Sequence, residues 1–282
     1  MTITIRAGNA GASDFYAYLD AFDTDFTPAG RGAFSNGLSG NYAASESDLS
    51  DTPDTDAQAY VIRGGLSYSM ATHVVSGPVR AVEFGHGATS TSGEGGVASF
   101  EMTELDFKVT FSPKIAAAES HDVIYGLLGS APDGEGATEA LLEVIKSDSI
   151  TFRGGAGADK FLGFRHDDVL IGGRGNDILN GRVGDDDLTG GAGRDVLIGG
   201  RGADTFHFTK FFGRDIVRDF EAGTDTLDFS ATTGEATSLD DFLANSSEIN
   251  GRLVYDMGND GRNVIVLVGI EAADLSASDF IF

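Results

Sequence analysis

Six aspartates stand nine residues apart: Asp159, Asp168, Asp177, Asp186, Asp195 and Asp204. Each is sixth in a nine-residue block, and the blocks run without a gap from Gly154 to His207. The first position is Gly in every block (Gly154, Gly163, Gly172, Gly181, Gly190, Gly199). The eighth is Phe or Leu (Phe161, Leu170, Leu179, Leu188, Leu197, Phe206). Carboxylates are hard oxygen ligands. Together with the carbonyl oxygens that a glycine-rich turn exposes, they suit calcium and not soft metals. The candidate carbonyl donors are Gly155, Gly157, Gly173, Gly175, Gly191, Gly193, Gly200 and Gly202. A flexible glycine linker has no reason to hold an acid and an apolar residue in phase, so the pattern argues for structure.

The same period sets the elements that position these groups. The first six residues of a block must turn tightly, which favours glycine at positive φ. The fifth position carries Asp167, Asn176 and Asp185, types that tolerate the left-handed region. The last three residues make a short strand with the eighth side chain pointing inward. The blocks resemble the RTX nonapeptide repeat G-G-x-G-x-D-x-U-x. That resemblance implies a parallel β-roll around calcium, with two blocks per coil. Calcium then sits between a turn and the turn two blocks later. The expected pairs are Asp159/Asp177, Asp168/Asp186, Asp177/Asp195 and Asp186/Asp204. Phe164 and His166 interrupt the second block, and Arg182 the fourth.

Composition narrows the possibilities. The 282 residues include 44 acidic and 19 basic side chains, a net charge of −25. The excess is not mainly in the blocks: residues 1–153 carry 21 acids against 8 bases, and 208–282 carry 14 against 5. Such a surface repels nucleic acid and anionic membranes. With no cysteine, disulfides, zinc–thiolate sites and cysteine catalysis are excluded. No metalloprotease H-E-x-x-H and no nucleophile–base constellation is present, so an enzyme is not expected. No run is long enough for membrane insertion, and no apolar Sec-type leader opens the chain.

All five prolines precede residue 154. The chain therefore reads as three parts: 1–152, 153–207 and 208–282. In the last part, Asp215–Phe220, Thr226–Phe229, Arg252–Tyr255 and Asn263–Val268 read as strands. Ser238 reads as the N-cap of a short helix to Ala244. The string from Gly213 to Phe229 resembles the segment that closes the roll of secreted serralysin-type proteases, which implies a β cap. The ending Asp279-Phe-Ile-Phe282 resembles the uncleaved C-terminal signal read by a type I secretion exporter.

In the first part, Phe15, Tyr18, Leu19 and Phe22 share one face of a helix capped by Ser13. Residues 57–72 alternate as a strand with Leu66, Tyr68 and Met70 on one side. Val79–Phe84 and Phe100–Phe111 read as strands, Asp122–Leu128 and Thr138–Ile145 as helices, and His86 as a solvated turn residue. The opening T-I-T-I, the aromatic helix, G-G-L-S-Y followed by T-H-V-V-S-G, His121-Asp-Val-Ile-Tyr125 and A-L-L-E-V-I-K together resemble the HasA-type haem-acquisition hemophores. The resemblance implies an α+β domain, a curved antiparallel sheet with helices. It implies ferric haem as cofactor, with Tyr68 as the iron ligand and His73 accepting the tyrosine hydrogen bond. It places His121, Tyr125 and Leu128 along the haem pocket. The family's second ligand, a loop histidine, has no counterpart in residues 23–40.

The expectation is a secreted, extracellular haem-binding protein of a Gram-negative bacterium. It would hand haem to an outer-membrane receptor and fold its C-terminal part with calcium. The alternative is a calcium-structured surface or matrix protein whose first domain binds protein or glycan.

Overall fold

The structure, a computed structural model, describes residues 2–8, 13–25, 33–36, 39–45, 58–69, 74–76, 78–93, 96–115, 123, 138–232 and 237–282. It is mostly β. The early strands are β1 (Thr2–Ala7), β2 (Ser13–Asp14), β3 (Ala33–Asn36), β4 (Ser39–Ser45), β5 (Gln58–Ser69), β6 (Val74–Ser76), β7 (Val79–Gly93) and β8 (Gly96–Ile115). Then come β9 (Ile150–Arg153), β10 (Asp159–Leu162), β11 (Val169–Gly175), β12 (Ile178–Val183), β13 (Asp187–Gly193), β14 (Val196–Arg201) and β15 (Thr205–Thr209). The last are β16 (Arg214–Val217), β17 (Thr226–Ala231), β18 (Ser246–Glu248), β19 (Arg252–Met257), β20 (Asn263–Val268) and β21 (Phe280–Ile281). Helices are α1 (Phe15–Asp25), α2 (Glu139–Lys146) and α3 (Leu239–Ala244). None of the described helices is long and apolar enough to cross a membrane. Contacts divide the chain into two compact units, Met1–Ala10 with Phe15–Asp148, and Gly11–Asp14 with Ser149–Phe282.

The first unit is an antiparallel sheet in the order β1-β8-β7-β5-β4-β3, with β6 on β5. Alternation sends Ile3, Ile5 and Ala7 of β1 inward. The α1 residues Phe15 and Phe22 meet Phe107 and Phe84 edge-on, both at 5.1 Å between ring centroids. Such apolar burial needs no metal. Glu83 is buried in the sheet between Arg63 (2.5 Å) and Lys108 (2.7 Å). Burial works against its charge, but the two cations outweigh it and hold its carboxyl below the usual range. The Ser13 backbone lies in β2, paired with Asp159, and α1 begins two residues later at Phe15. One expectation is corrected. His86 lies in β7 opposite Gln58, because the glycines beside it mark a register shift between Phe84 and Gly85 rather than a turn.

The second unit is a β-solenoid of about four turns. One of its parallel sheets runs β9-β11-β13-β15-β17-β21. The other begins β2-β10-β12-β14-β16-β20 and ends in the antiparallel strands β19 and β18. Register stacks identical block positions. Phe152, Leu170, Leu188, Phe206, Leu227 and Phe280 form one column. Phe161, Leu179, Leu197, Val217 and Leu267 form the other. All are buried. One inward residue per block makes a narrow core. Beyond the blocks, Phe229, Phe242, Tyr255 and Phe280 cluster around α3. That helix starts where expected, with the Ser238 side chain accepting from Asp241 N–H at 3.1 Å.

Candidate metal centre

Each block aspartate stands two residues before an inward residue, so it is carried to the same turn of every coil. Two stacks result. In one, Asp177 Oδ1 accepts from Asp159 N–H (2.7 Å) and Asp195 Oδ1 from Asp177 N–H (2.8 Å). In the other, Asp186 Oδ1 accepts from Asp168 N–H (2.7 Å) and Asp204 Oδ1 from Asp186 N–H (3.0 Å). These are the four pairs expected from the blocks. The stacks go further: Asp215 accepts from Asp195 N–H (3.1 Å) and Asp225 from Asp204 N–H (3.0 Å). The sequence reading missed both. Their signal is Asp-x-apolar, in Asp215-Ile-Val217 and Asp225-Thr-Leu227, displaced from the 18-residue step along each stack to steps of 20 and 21.

The second oxygen separates the turns. Asp159 Oδ2 accepts from Gly155 N–H (2.6 Å) and Asp168 Oδ2 from Phe164 N–H (3.1 Å). In Asp177, Asp186, Asp195 and Asp204 the second oxygen is buried with no hydrogen-bond partner. The cause is backbone conformation. Gly173, Arg182, Gly191 and Gly200, second in their blocks, have φ of 105°, 77°, 104° and 113°. Gly175, Gly184, Gly193 and Gly202, fourth in theirs, also have positive φ. Gly155, Gly157, Phe164 and His166 do not. Where φ is positive, the carboxylate is left without the amide that closes it in the first two turns.

The glycine rule is thereby corrected. Positive φ belongs to the second and fourth positions. The first position is glycine for space, because a Cβ on Gly154 or Gly163 would come 2.5 Å from the Oδ2 of its own block's aspartate. The fifth position is corrected too. Asp167, Asn176 and Asp185 are not left-handed. Their side chains instead bridge coils, accepting from Asp185 N–H (2.9 Å), Arg194 N–H (3.0 Å) and Ala203 N–H (2.8 Å) respectively.

Buried carboxylate oxygens without donors call for a cation. Burial, then the stacked neighbours, pushes Asp177 and Asp186 up to about 7. The same causes push Asp215 to about 8. Asp168 and Asp195 are also raised by burial. Among the described residues no three His, Cys, Asp or Glu side chains form a ready metal cluster. The donor set is thus pairs of carboxylates with turn carbonyls, which fits calcium's demand for six to eight oxygens better than a compact side-chain cage. Asp177, Asp186, Asp195 and Asp204 fit the ion as they stand.

The other expected site is only partly in view. The Tyr68 backbone lies in β5 opposite Val75. His73, His121, Tyr125 and Leu128 lie outside the described residues, as does most of the Asp122–Leu128 segment.

Residues 151–179 and 180–209 match the RTX calcium-binding nonapeptide repeat (4 copies). This part of the chain consists of RTX repeats. No curated protein matches the chain. Among solved structures, the AlgE6R3 subunit of the Azotobacter vinelandii mannuronan C5-epimerase is 28% identical, with 49% of this chain and 81% of that one covered at a TM-score of 0.35. Holo hemophore HasA from Yersinia pestis is 24% identical, with 51% and 88% covered and a TM-score of 0.36. Extracellular lipase LipA from Serratia marcescens is 17% identical, with 48% and 40% covered and a TM-score of 0.30.

Proposed function

We propose that this chain is an exported haem-capture protein whose second unit is completed by calcium outside the cell. The four buried carboxylate oxygens without partners, on Asp177, Asp186, Asp195 and Asp204, carry the calcium reading. A calcium-poor cytosol leaves the repeats unfolded for a type I exporter, which reads the end at Asp279–Phe282. Millimolar calcium outside then supplies the missing charge, and binding energy becomes folding energy. The cap after the repeats is serralysin-like in this reading.

The first unit is read as an α+β hemophore-like domain that binds ferric haem and passes it to an outer-membrane receptor. The order of elements supports this: T-I-T-I is β1, the aromatic helix is α1, G-G-L-S-Y lies in β5 and A-L-L-E-V-I-K in α2. Ferric iron favours an anionic phenolate oxygen, a known axial haem ligand. A phenol titrates near about 10 and needs iron and a neutral imidazole acceptor to act as phenolate at neutral pH. Tyr68 and His73 are assigned those roles, with His121, Tyr125 and Leu128 lining the pocket. No catalytic step is assigned.

Absorption spectra with haemin test this. Wild-type chain is expected to shift the Soret band and show a ferric tyrosinate charge-transfer band. Tyr68→Phe is expected to abolish that band and weaken binding strongly, and His73→Ala to weaken it less. No Soret shift for the wild type would refute haem capture. The first unit would then serve protein or glycan in a calcium-structured surface or matrix protein.

A further inference from the structure

The coils turn two sheets to solvent, and the outward residues of those sheets differ. In the sheet of β9, β11, β13, β15 and β17, one outward row reads Thr151, Val169, Asp187, Thr205 and Thr226. In the other sheet the matching row reads Lys160, Ile178, Val196, Ile216 and Val266, and register carries it on to Val254 of β19. Ile198 and Val268 face the same way two residues further along β14 and β20. Ile178 is 41% exposed, and the other side chains of this stripe are half-buried, so all reach solvent. A lone exposed valine needs no explanation, and neither does a β-branched residue in a strand. Threonine is β-branched too, however, and the first sheet uses it at the same position of the coil. Strand propensity therefore does not account for the unbroken apolar row from Ile178 to Val254.

The charges beside the stripe also run against the rest of the chain, whose net charge is −25. Arg214 and Arg218 stand two residues either side of Ile216, and Arg252 stands opposite Val268. Among the described residues no carboxylate pairs with these arginines. Two acids share the face, and both are engaged. Asp14 pairs with Lys160 at 2.6 Å, and Asp256 accepts from Gly261 N–H at 3.0 and 3.1 Å. The stripe is long and narrow. With strands about 4.8 Å apart it spans about 19 Å from Ile178 to Val254, and its two rows make it about 7 Å wide. That is the contact line of one α-helix of about 13 residues.

We infer that this face binds an amphipathic helical segment of a partner protein, apolar along one side and bordered by Asp or Glu. The inference rests on the calcium reading only in that the face exists once the coils stack. Charge complementarity selects the occupant. A second copy laid face to face would set the three arginines against their own kind. An anionic membrane is a plane, and it would also meet the acidic remainder of the chain, whereas a single helix meets the stripe alone. A purely polar polyanion would use the arginines and leave the apolar row bare.

Fluorescence anisotropy of the full chain in calcium tests this. The probe is a labelled, helix-stapled peptide of about 14 residues with Leu along one side and Glu at its borders. Binding is expected in calcium and not in chelator. The same peptide with Lys for Glu should bind more weakly. Val196→Thr with Ile216→Thr gives the stripe the residue that the other sheet carries, and should weaken binding about tenfold or more. Arg214→Gln with Arg218→Gln should weaken it about threefold and flatten its salt dependence. Arg153→Gln, on the other sheet, should change nothing. If the threonine variant does not fold in calcium, methyl resonances of the wild type decide. Those of Ile178, Ile198 and Ile216 should move on adding peptide while that of Ile171, on the other sheet, stays. A chain that folds in calcium but does not bind the peptide, or that binds it with Ile171 moving instead, would overturn this inference and leave the calcium reading standing. So would binding of phosphatidylglycerol vesicles or oligogalacturonate in place of the peptide, or self-association through the stripe. A chain that stays unfolded in calcium would overturn both.

Discussion

The first two blocks and the four that follow share one sequence pattern, yet they treat their aspartates oppositely. In the turns of Asp159 and Asp168 the amide of Gly155 or Phe164 closes on the second carboxylate oxygen. In the turns of Asp177, Asp186, Asp195 and Asp204 that oxygen is left open. The aspartate is the same throughout. What differs is the sign of φ two residues into the block. The lesson is that a repeat binds metal through its backbone conformation as much as through its acid. Arg182 makes this plain. It breaks the glycine rule but keeps a φ of 77°, and its aspartate stays open. Phe164 breaks the same rule, does not adopt positive φ, and its aspartate is closed.

The largest test of this contrast is calcium removal. Chelator is expected to unfold the second unit, whose core is one inward residue per block. The first unit should persist, since Phe15, Phe22, Phe84 and Phe107 are buried without any ion. Circular dichroism should show a large calcium-dependent gain of β signal. Hydrogen exchange should confine it to residues 149–282. Uniform loss across both units would break the comparison.

Acidity comes next. Asp177 and Asp186 near 7, Asp204 near 6 and Asp215 near 8 all lie above the unfolded value of 3.8. The folded metal-free roll therefore holds protons that the unfolded chain has released. Its stability is fully present below the unfolded value and is lost as pH rises through about 6 to 8. Chelated protein should thus gain β signal between pH 8 and pH 5, bounds set by Asp215 above and the ordinary carboxylate range below. With calcium present the sign reverses, because protons compete for the same oxygens. A metal-free roll that loses structure on acidification to pH 5 would contradict the assignment of open carboxylates.

The smallest effects are the most specific. Arg182→Gly should relieve a left-handed arginine and stabilise the calcium-loaded roll by about 1 kcal/mol without changing the ion count. Phe164→Gly should leave Asp168 Oδ2 closed, because Gly155 is already a glycine at that block position, lacks positive φ and leaves Asp159 closed. Thermal melts and calcium counts read both. An Arg182→Gly or Phe164→Gly chain that gains ions would place the control in the residue type at this position and not in its φ.

Some of the molecule was readable before folding. The aspartate period and the inward Phe or Leu announce the roll because both express local geometry, a tight turn and a strand of alternating faces. The strands of residues 208–282 and the Ser238 cap follow from equally local signals. His86 was misplaced because a glycine pair marks a bulge as readily as a turn, and only pairing with β8 decides between them. The ending Asp279-Phe-Ile-Phe282 has a structural part to play. Phe280 pairs with Leu227, and Asp279 Oδ1 accepts from Gly223 N–H at 2.8 Å. Removing it therefore takes a strand from the roll as well as any export signal.

From its sequence alone this chain is committed to a calcium-type turn every nine residues and to an inward apolar column, since φ preference and side-chain alternation are properties of neighbours. Which carboxylate oxygens stay open was decided only in three dimensions, by the sign of φ at the second position of each block. So was the entry of Asp215 and Asp225 into the stacks, because their partners lie 20 and 21 residues away and irregular spacing hides them. A carboxylate's chemistry depends on what its second oxygen meets, and that meeting is made by register between coils.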